Sequence, residues 1–507
     1  MTVESRPAVE SRPVVESRPV VEPRSRLGSG EQERGSSWAI GALLVALTTL
    51  SFLLLVPATR HWFVVPVTLA GTLVAPDAVD WARKRFDIFD PQATLALLGM
   101  HFFFLAPLLH VALDYWVRYV EPAADWPDAL GRIAILNVLG LALYRVVVAP
   151  RRLGRDRPAV AVDVQRLHWA GLLIAALSAI VFTSFVLSLG GPAGFFSVMA
   201  DNRTELAGLG LVLMVSSWFP IVAFVVSVVR FRGYLRRHPQ LLVPLILAFA
   251  LVQLLVRGLG GSRSSTVWPV LIAIGVCHLV VVPVRRIVLA ASCAAILVFM
   301  YFYGFYKNVG SEVLELYTGG TTTEKLVEET GRDLPSLLFF DLGRADIQAL
   351  TLQRQREGAA ELGHGITYVG DVSFFVPHVL LAERPASKNQ VGTNMLYGRG
   401  AYDAGLRSTR IFGSAGEGIL NFGPPGALLS FIPLGLLVRF CRERYRTAVT
   451  TNALGSKIVA PTLSITVMIA LSCDLDNLAW FLANYVFVLV LLVFLVHTPT
   501  SRQGGTS

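Results

Sequence analysis

The sequence predicts an all-α polytopic membrane protein of about 12 transmembrane helices, with a large extracytoplasmic helical loop between helices 9 and 10. Three observations lead there. The chain of 507 residues is 54% hydrophobic and only 16% charged, with mean hydropathy +0.58, whereas a soluble domain carries about 25% charge. Apolar runs of about 20 residues recur, the length needed to cross a bilayer core. Arginines collect in alternate connections, the asymmetry that orients a polytopic chain.

The elements follow in chain order. From Val3, "VESRPAVESRPVVESRPVVEPRSR" repeats every six residues, with proline and both charges in its units. Proline excludes a helix and the polarity excludes a core, so 1–36 is expected to be a disordered cytoplasmic tail. It is too long and too polar to be the start of a signal peptide. Apolar runs then place helices near 37–56, 62–79, 94–114, 129–148, 168–189, 209–229, 240–256, 265–284 and 287–305, and near 424–440, 457–473 and 477–496. Basic residues fall on one parity of connection: Arg83, Lys84 and Arg85; Arg151, Arg152, Arg155, Arg157 and Arg166; Arg230, Arg232, Arg236 and Arg237; Arg285 and Arg286; and "RFCRERYR". Together with the Arg-bearing tail they assign that side, and both termini, to the cytoplasm of a multi-pass cytoplasmic (inner) membrane protein. Helices 1–9 then occupy 37–305, a large extracytoplasmic loop 306–423, helices 10–12 residues 424–496, and a C-terminal tail 497–507. The large loop is too long to be a connector and is expected to fold, with amphipathic helical stretches such as "DLGRADIQALTLQRQ".

Composition and missing motifs exclude several classes. The net charge of +9 follows from cytoplasmic arginines and does not imply nucleic acid. Cys277, Cys293, Cys441 and Cys473 form neither a disulfide framework nor a zinc spacing. GxxxxGK[ST], HExxH and GxSxG are all absent. Chemistry on the outer face must therefore use energy stored in a substrate, or a gradient.

The outer face does hold arginines beside small residues. "VRGLGGSRSS" places Arg257 and Arg263 around a glycine-rich turn, against the positive-inside trend. A guanidinium there suits a phosphate, which it can grip bidentately; the alternative is a snorkelling interfacial arginine. Arg203 in "GGPAGFFSVMADNRTELAG" has Asp201 and Glu205 nearby, so a local ion pair competes with a ligand role. In "FFDLGRADIQ", Arg344 is three residues from Asp341, again compatible with a solvated pair or with a site. His364 lies between glycines in "GHGITYVGDVSFFVPHVLLAERP", with Tyr368 and Asp371 following. Its imidazole suits proton transfer, although a lone loop histidine is more often structural. Glu417 stands between Gly416 and Gly418 in "GSAGEGILNFGPPGALL". Its carboxylate is expected to be uncovered and to act as a base or to orient a hydroxyl; the alternative is a cap for helix 10.

From about residue 38 to 496 the chain resembles the O-antigen polymerase, or oligosaccharide repeat-unit polymerase, family of bacterial membrane proteins. The resemblance lies in "FDIFDPQATLAL", "LGGPAGFFSVMADNRTELAG", "GLGGSRSSTVWPVL", "GHGITYVGDVSFFVPHVLLAERP" and "GSAGEGILNFGPPGALL", in that order around one late outer loop. The resemblance implies polymerisation of undecaprenyl-pyrophosphate-linked repeat units on the outer face by inverting, metal-independent glycosyl transfer, with no cofactor. On that reading Arg263, with Arg203 and Arg344, is expected to hold pyrophosphate or acidic sugar, Arg257, Tyr368 and Asp371 to bind substrate, and Glu417 or His364 to take the proton. The implied partners are the lipid-linked oligosaccharide, the membrane, a chain-length regulator and a flippase. An O-antigen ligase-like enzyme and a lipid-linked oligosaccharide transporter are the alternative functions.

Overall fold

A computed structural model describes residues 30–117, 125–149, 159–201, 209–259, 262–373 and 383–498, together with 120, 122, 375–376 and 380–381. Most of the repeat tail and the last nine residues of the chain lie outside the described residues. Among the described residues the structure is all-α apart from Ala161–Val162, which pairs antiparallel with His497–Thr498. Among the described residues, nine helices are long and apolar enough to cross a membrane, or ten if one bent pair counts as a single span. The chain is thus a multi-pass membrane protein.

The helices that matter below are α1 (Gly30–Leu55), α2 (Val64–Ala82), α3 (Pro91–Ala112), α4 (Trp126–Val148), α5 (Val164–Ser188), α6 (Gly210–Arg230), α7 (Pro239–Gly258), α8 (Ser264–Val280) and α9 (Arg286–Val309). After them come α10 (Thr323–Thr330), α11 (Ala345–Arg356), α12 (Ile366–Ser373), α13 (Lys388–Tyr397), α14 (Gly413–Leu429), α15 (Phe431–Thr451), α16 (Leu454–Ser472) and α17 (Leu475–Val496). Each of the twelve expected segments falls on a helix. Two fall short as spans by length and composition: α8 has 17 residues, and Asp77 and Asp80 lower the hydropathy of α2.

Three local expectations are corrected. The first helix starts at Gly30, so 30–36 are helical rather than part of the tail. The tenth expected helix begins earlier and is broken: α14 and α15 meet at 57°, and within α14 Gly423 takes φ 66°, ψ −151°, a backbone that favours glycine, directly before Pro424 and Pro425. The stretch "DLGRADIQALTLQRQ" is not an amphipathic surface helix. Residues 345–352 of α11 are all buried, Asp346, Gln348 and Thr351 included, because α11 packs between α4 and α14.

Among the described residues two large apolar cores result, beside a small cluster around Phe185 and Phe195. One gathers side chains of α2, α3, α4, α11, α14 and α15; the other those of α6, α7, α8 and α17. α16 joins them, giving Val467 and Leu471 to the first and Ile465 and Ile469 to the second. The charged groups separate to the two ends of this bundle. At the arginine-rich end, Arg145 pairs with Asp77 (2.7 Å), Gln92 donates to the same carboxylate (2.8 Å), and Arg442 pairs with Asp90 (3.3 Å). Asp90 also caps α3 through the N–H of Gln92 (2.9 Å). Asp77 is buried, so removing its partner strands a charge. Arg145→Met is expected to cost about 3–5 kcal/mol of stability, and Arg145→Met with Asp77→Asn to recover most of it. Thermal unfolding of the detergent-purified variants measures both.

Candidate functional site

The opposite end of the bundle begins with a problem of helix termini. α16 ends at Ser472 and α17 begins at Leu475, and Asp474 between them is completely buried. The terminal carbonyls and N–H groups there need partners, and side chains serve them. Arg344 Nε donates to the Ser472 carbonyl (3.1 Å), a cation at a helix C-terminus. Glu417 Oε2 accepts from the Leu475 N–H (2.8 Å) and Oε1 from the Thr367 hydroxyl (3.0 Å), a carboxylate at a helix N-terminus. Asp474 accepts from the Phe412 N–H (2.8 Å), which ties in the start of α14. Glu417 is therefore a cap, but of α17 rather than of the tenth span.

Its flanking glycines act opposite to expectation. A Cβ on Gly416 would lie 2.9 Å from Phe412 Cβ and 3.0 Å from Gln348 Cγ; one on Gly418 would lie 2.4 Å from the Gly426 carbonyl oxygen. The glycines allow α11 and the returning half of α14 to close on both sides of Glu417. The carboxylate is not uncovered: the residue is 1% exposed.

Lys388, at the start of α13, is also buried. Its Nζ bridges Asp474 (2.9 Å) and Asp476 (3.3 Å), and its backbone N–H donates to Asp371 Oδ1 (3.3 Å). Burial alone would depress the lysine, but Asp474 and Asp476 more than offset it and hold the ammonium above the usual lysine range. Burial, reinforced by the charge of Asp476, raises the Asp371 carboxyl to about 6.

Beside this node lies a cavity of about 940 Å³. Its polar part is lined by Lys307, Arg263, Arg332, Arg344, Lys388, Arg407 and Arg410, with Asp341 and Asp476 as the acidic side chains on the wall among the described residues. Arg263 is ion-paired with Asp341, which Arg332 also approaches (3.5 Å). Arg410 is ion-paired with buried Asp346 behind the wall. Apart from serines, threonines and asparagines, the lining includes an apolar set: Val267, Trp268 and Leu271 of α8, Ile296, Leu297 and Met300 of α9, and Met468 and Ile469 of α16. Along α9 the lining runs from Cys293 to Lys307 and Asn308, about 20 Å at 1.5 Å per residue. Among the described residues, no group of three or more His, Cys, Asp or Glu side chains is arranged to hold a metal ion.

The sequence-derived candidates divide accordingly. Arg263 and Arg344 line the cavity, and Asp341 is ion-paired with Arg263. Arg257 donates to the Leu213 carbonyl (2.9 Å) and stacks 5.1 Å from the Trp480 ring centroid; it is not on the cavity wall. Arg203 lies outside the described residues. His364, Tyr368 and Asp371 belong to a neighbouring network off the wall. His364 is exposed, at φ 47°, and its backbone N–H donates to the Asn421 carbonyl (2.9 Å). Tyr368 is half-buried beside Phe422, with its hydroxyl bonded to Asn421. Asn421 in turn donates to Thr367 Oγ1 (2.7 Å) and to the Glu417 carbonyl (2.9 Å), so this network backs the Glu417 cap. Sequence reasoning missed Arg332, Lys388, Arg407, Arg410 and Asp476. None lies in a glycine-rich setting, and Lys388 meets its carboxylates only through the fold.

Two outcomes are expected from this geometry. Glu417→Ala leaves the Leu475 N–H and the Thr367 hydroxyl unpaired and should cost about 1–3 kcal/mol, with Glu417→Gln closer to wild type because one acceptor remains. Thermal unfolding in detergent reads both. Asp371 has a raised carboxyl, so its favourable neutral form is fully present below the ordinary aspartate range and lost as pH rises through about 6. Asp371→Asn should therefore match wild-type stability at about pH 4 and exceed it at about pH 8, as read by unfolding across pH.

No protein-family model, curated protein or solved structure matches the chain, so what this site does is argued from its own geometry.

Proposed function

We propose that the protein polymerises lipid-pyrophosphate-linked oligosaccharide repeat units on the outer face of the cytoplasmic membrane. In this reading the chain has twelve spans, both termini are cytoplasmic, and the cavity end of the bundle faces outward. The observation that carries the proposal is the amphiphilic cavity: a cluster of guanidinium groups together with an apolar wall that follows α9 from Cys293 to Met300, about 10 Å. That shape and charge suit a long-chain lipid whose head is a pyrophosphate. Guanidinium groups grip phosphate oxygens bidentately and stabilise the charge that develops as the pyrophosphate leaves. The activated anomeric bond of such a donor supplies the energy, in keeping with the absence of nucleotide motifs. Sidedness is supported by the arginine-rich connections gathered at the other end of the bundle.

One observation favours transport instead. α14 is broken at Gly423 and carries the buried Glu417, and broken helices with buried polar groups mark binding sites in transporters. The two readings separate in a strain lacking the protein. Polymerisation predicts loss of the glycan ladder with single lipid-linked units exposed on the outer face; transport predicts the same units confined to the inner face. Long chains retained on the lipid carrier would instead point to ligase-like transfer.

Arg263→Ala should fail to restore the ladder and should weaken binding of undecaprenyl pyrophosphate by roughly 10- to 100-fold, the loss of a charge-assisted contact. Native mass spectrometry of the purified protein measures the binding. Cys293 lines the apolar wall and is the exposed one of the four cysteines. Bound undecaprenyl pyrophosphate should slow its reaction with a maleimide, and unchanged labelling at saturating lipid would remove the slot from the proposal.

A further inference from the structure

We infer that Asp476 is the carboxylate that receives the proton of the acceptor hydroxyl, an inference that rests on the glycosyl-transfer reading above. Two acidic side chains line the cavity among the described residues, and they differ in what holds them. Asp341 is taken by Arg263 and Arg332 and has a side chain only 7% exposed. The Asp476 side chain is 32% exposed and meets the cavity from the first turn of α17, four residues before Trp480 on the same wall.

Its orientation is fixed from both sides. Oδ1 accepts from the Asn477 backbone N–H and from its side-chain Nδ2, both at 2.6 Å. Oδ2 lies 3.3 Å from Lys388 Nζ. Lys388 cannot swing away, because its side chain is 3% exposed and anchored at 2.9 Å on Asp474, which is fully buried. A carboxylate held in this way, at the edge of a cavity rich in arginine, is placed to accept a proton without first rearranging. The two sequence-derived bases lack such a position: Glu417 is buried and spent on Leu475 and Thr367, and His364 is off the wall.

The step balances without a further reactant. The acceptor hydroxyl gives its proton to an Asp476 oxygen as its own oxygen forms the new bond to the anomeric carbon. The bond from that carbon to the lipid pyrophosphate breaks, and its electron pair leaves on the pyrophosphate oxygen facing the arginines. Attack opposite the leaving group inverts the anomeric centre. Glu417, through Leu475, acts as a positioning residue for the helix turn that carries Asp476.

The test uses the full-length protein in the strain lacking it, with Asp476→Asn and Asp476→Glu at matched expression, and the purified variants with undecaprenyl pyrophosphate. Asp476→Asn should lower ladder formation by about 100-fold or more, while lipid binding by native mass spectrometry stays within about threefold of wild type. Asp476→Glu, which keeps a carboxylate, should restore part of the ladder. A wild-type ladder from Asp476→Asn overturns the inference and leaves the polymerase reading standing. Loss of ladder and lipid binding together, in both variants, also overturns it and makes Asp476 a binding or structural group. A ladder that persists when the whole protein is absent removes the glycosyl-transfer reading itself.

Discussion

A helix that begins inside a protein must find partners for its first N–H groups, and the start of α17 imposes that requirement on everything around it. Glu417 meets the Leu475 N–H, Arg344 meets the last carbonyl of α16, and Lys388 holds the buried Asp474 between them. Asp474 then fixes the Phe412 N–H at the entrance to α14. Each charge is tolerable only because the others are present, since removing one member of a buried set strands the remainder at a cost of several kcal/mol. The node thereby ties α11, α13, α14, α16 and α17 at one place, and the cavity wall is built from α13, α16, α17, the segments that lead into α11 and α14, the first half of α8, and α9.

The two ends of the bundle solve different problems with the same residue types. At the arginine-rich end, Arg145 and Arg442 are matched one to one with Asp77 and Asp90, a neutralising arrangement that locks helices. At the cavity end, Arg263 and Arg332 share Asp341, and five further cations line the same space, of which Lys388 is held by Asp474 and Asp476 and Arg410 by Asp346. Matching charges stabilise a fold; an excess of one sign focuses a field on whatever enters.

The class of fold was legible because apolar length and arginine parity act locally and repeat many times along the chain. Glu417 was legible as unusual for the same reason: a carboxylate between glycines at the edge of an apolar run has no local explanation. Its role was not, because glycine flanks have two opposite physical meanings, exposure of a side chain or close approach of neighbouring segments, and only Gln348 and the Gly426 carbonyl decide between them. Lys388 and Asp476 were invisible for another reason. Each looks like an ordinary surface charge in sequence, Asp476 in what read as a three-residue connection, and their meaning arises when α13 is brought against the start of α17. The buried polar face of α11 was misread likewise, since its alternation of polar and apolar residues describes a surface helix equally well until α4 and α14 close over it.

The cavity's asymmetry also bears on how a ligand would reach it. α9 is the helix that lines most of its length, yet its close backbone neighbours are α10 and the turn that follows it rather than the bundle, and most of its apolar surface is outside the protein core. A wall of that kind leaves the apolar part of the cavity next to the hydrocarbon region, while the polar part is bounded by the folded segment between α9 and α14. A hydrocarbon chain entering beside α9 would leave the membrane without crossing water, and its head would meet the arginines only once the chain is seated. Two guanidinium groups sharing one carboxylate then have hydrogen-bonding capacity for a pyrophosphate in an arrangement already assembled. Under the proposed transfer, the protein's contribution at that point would be a field fixed by folding.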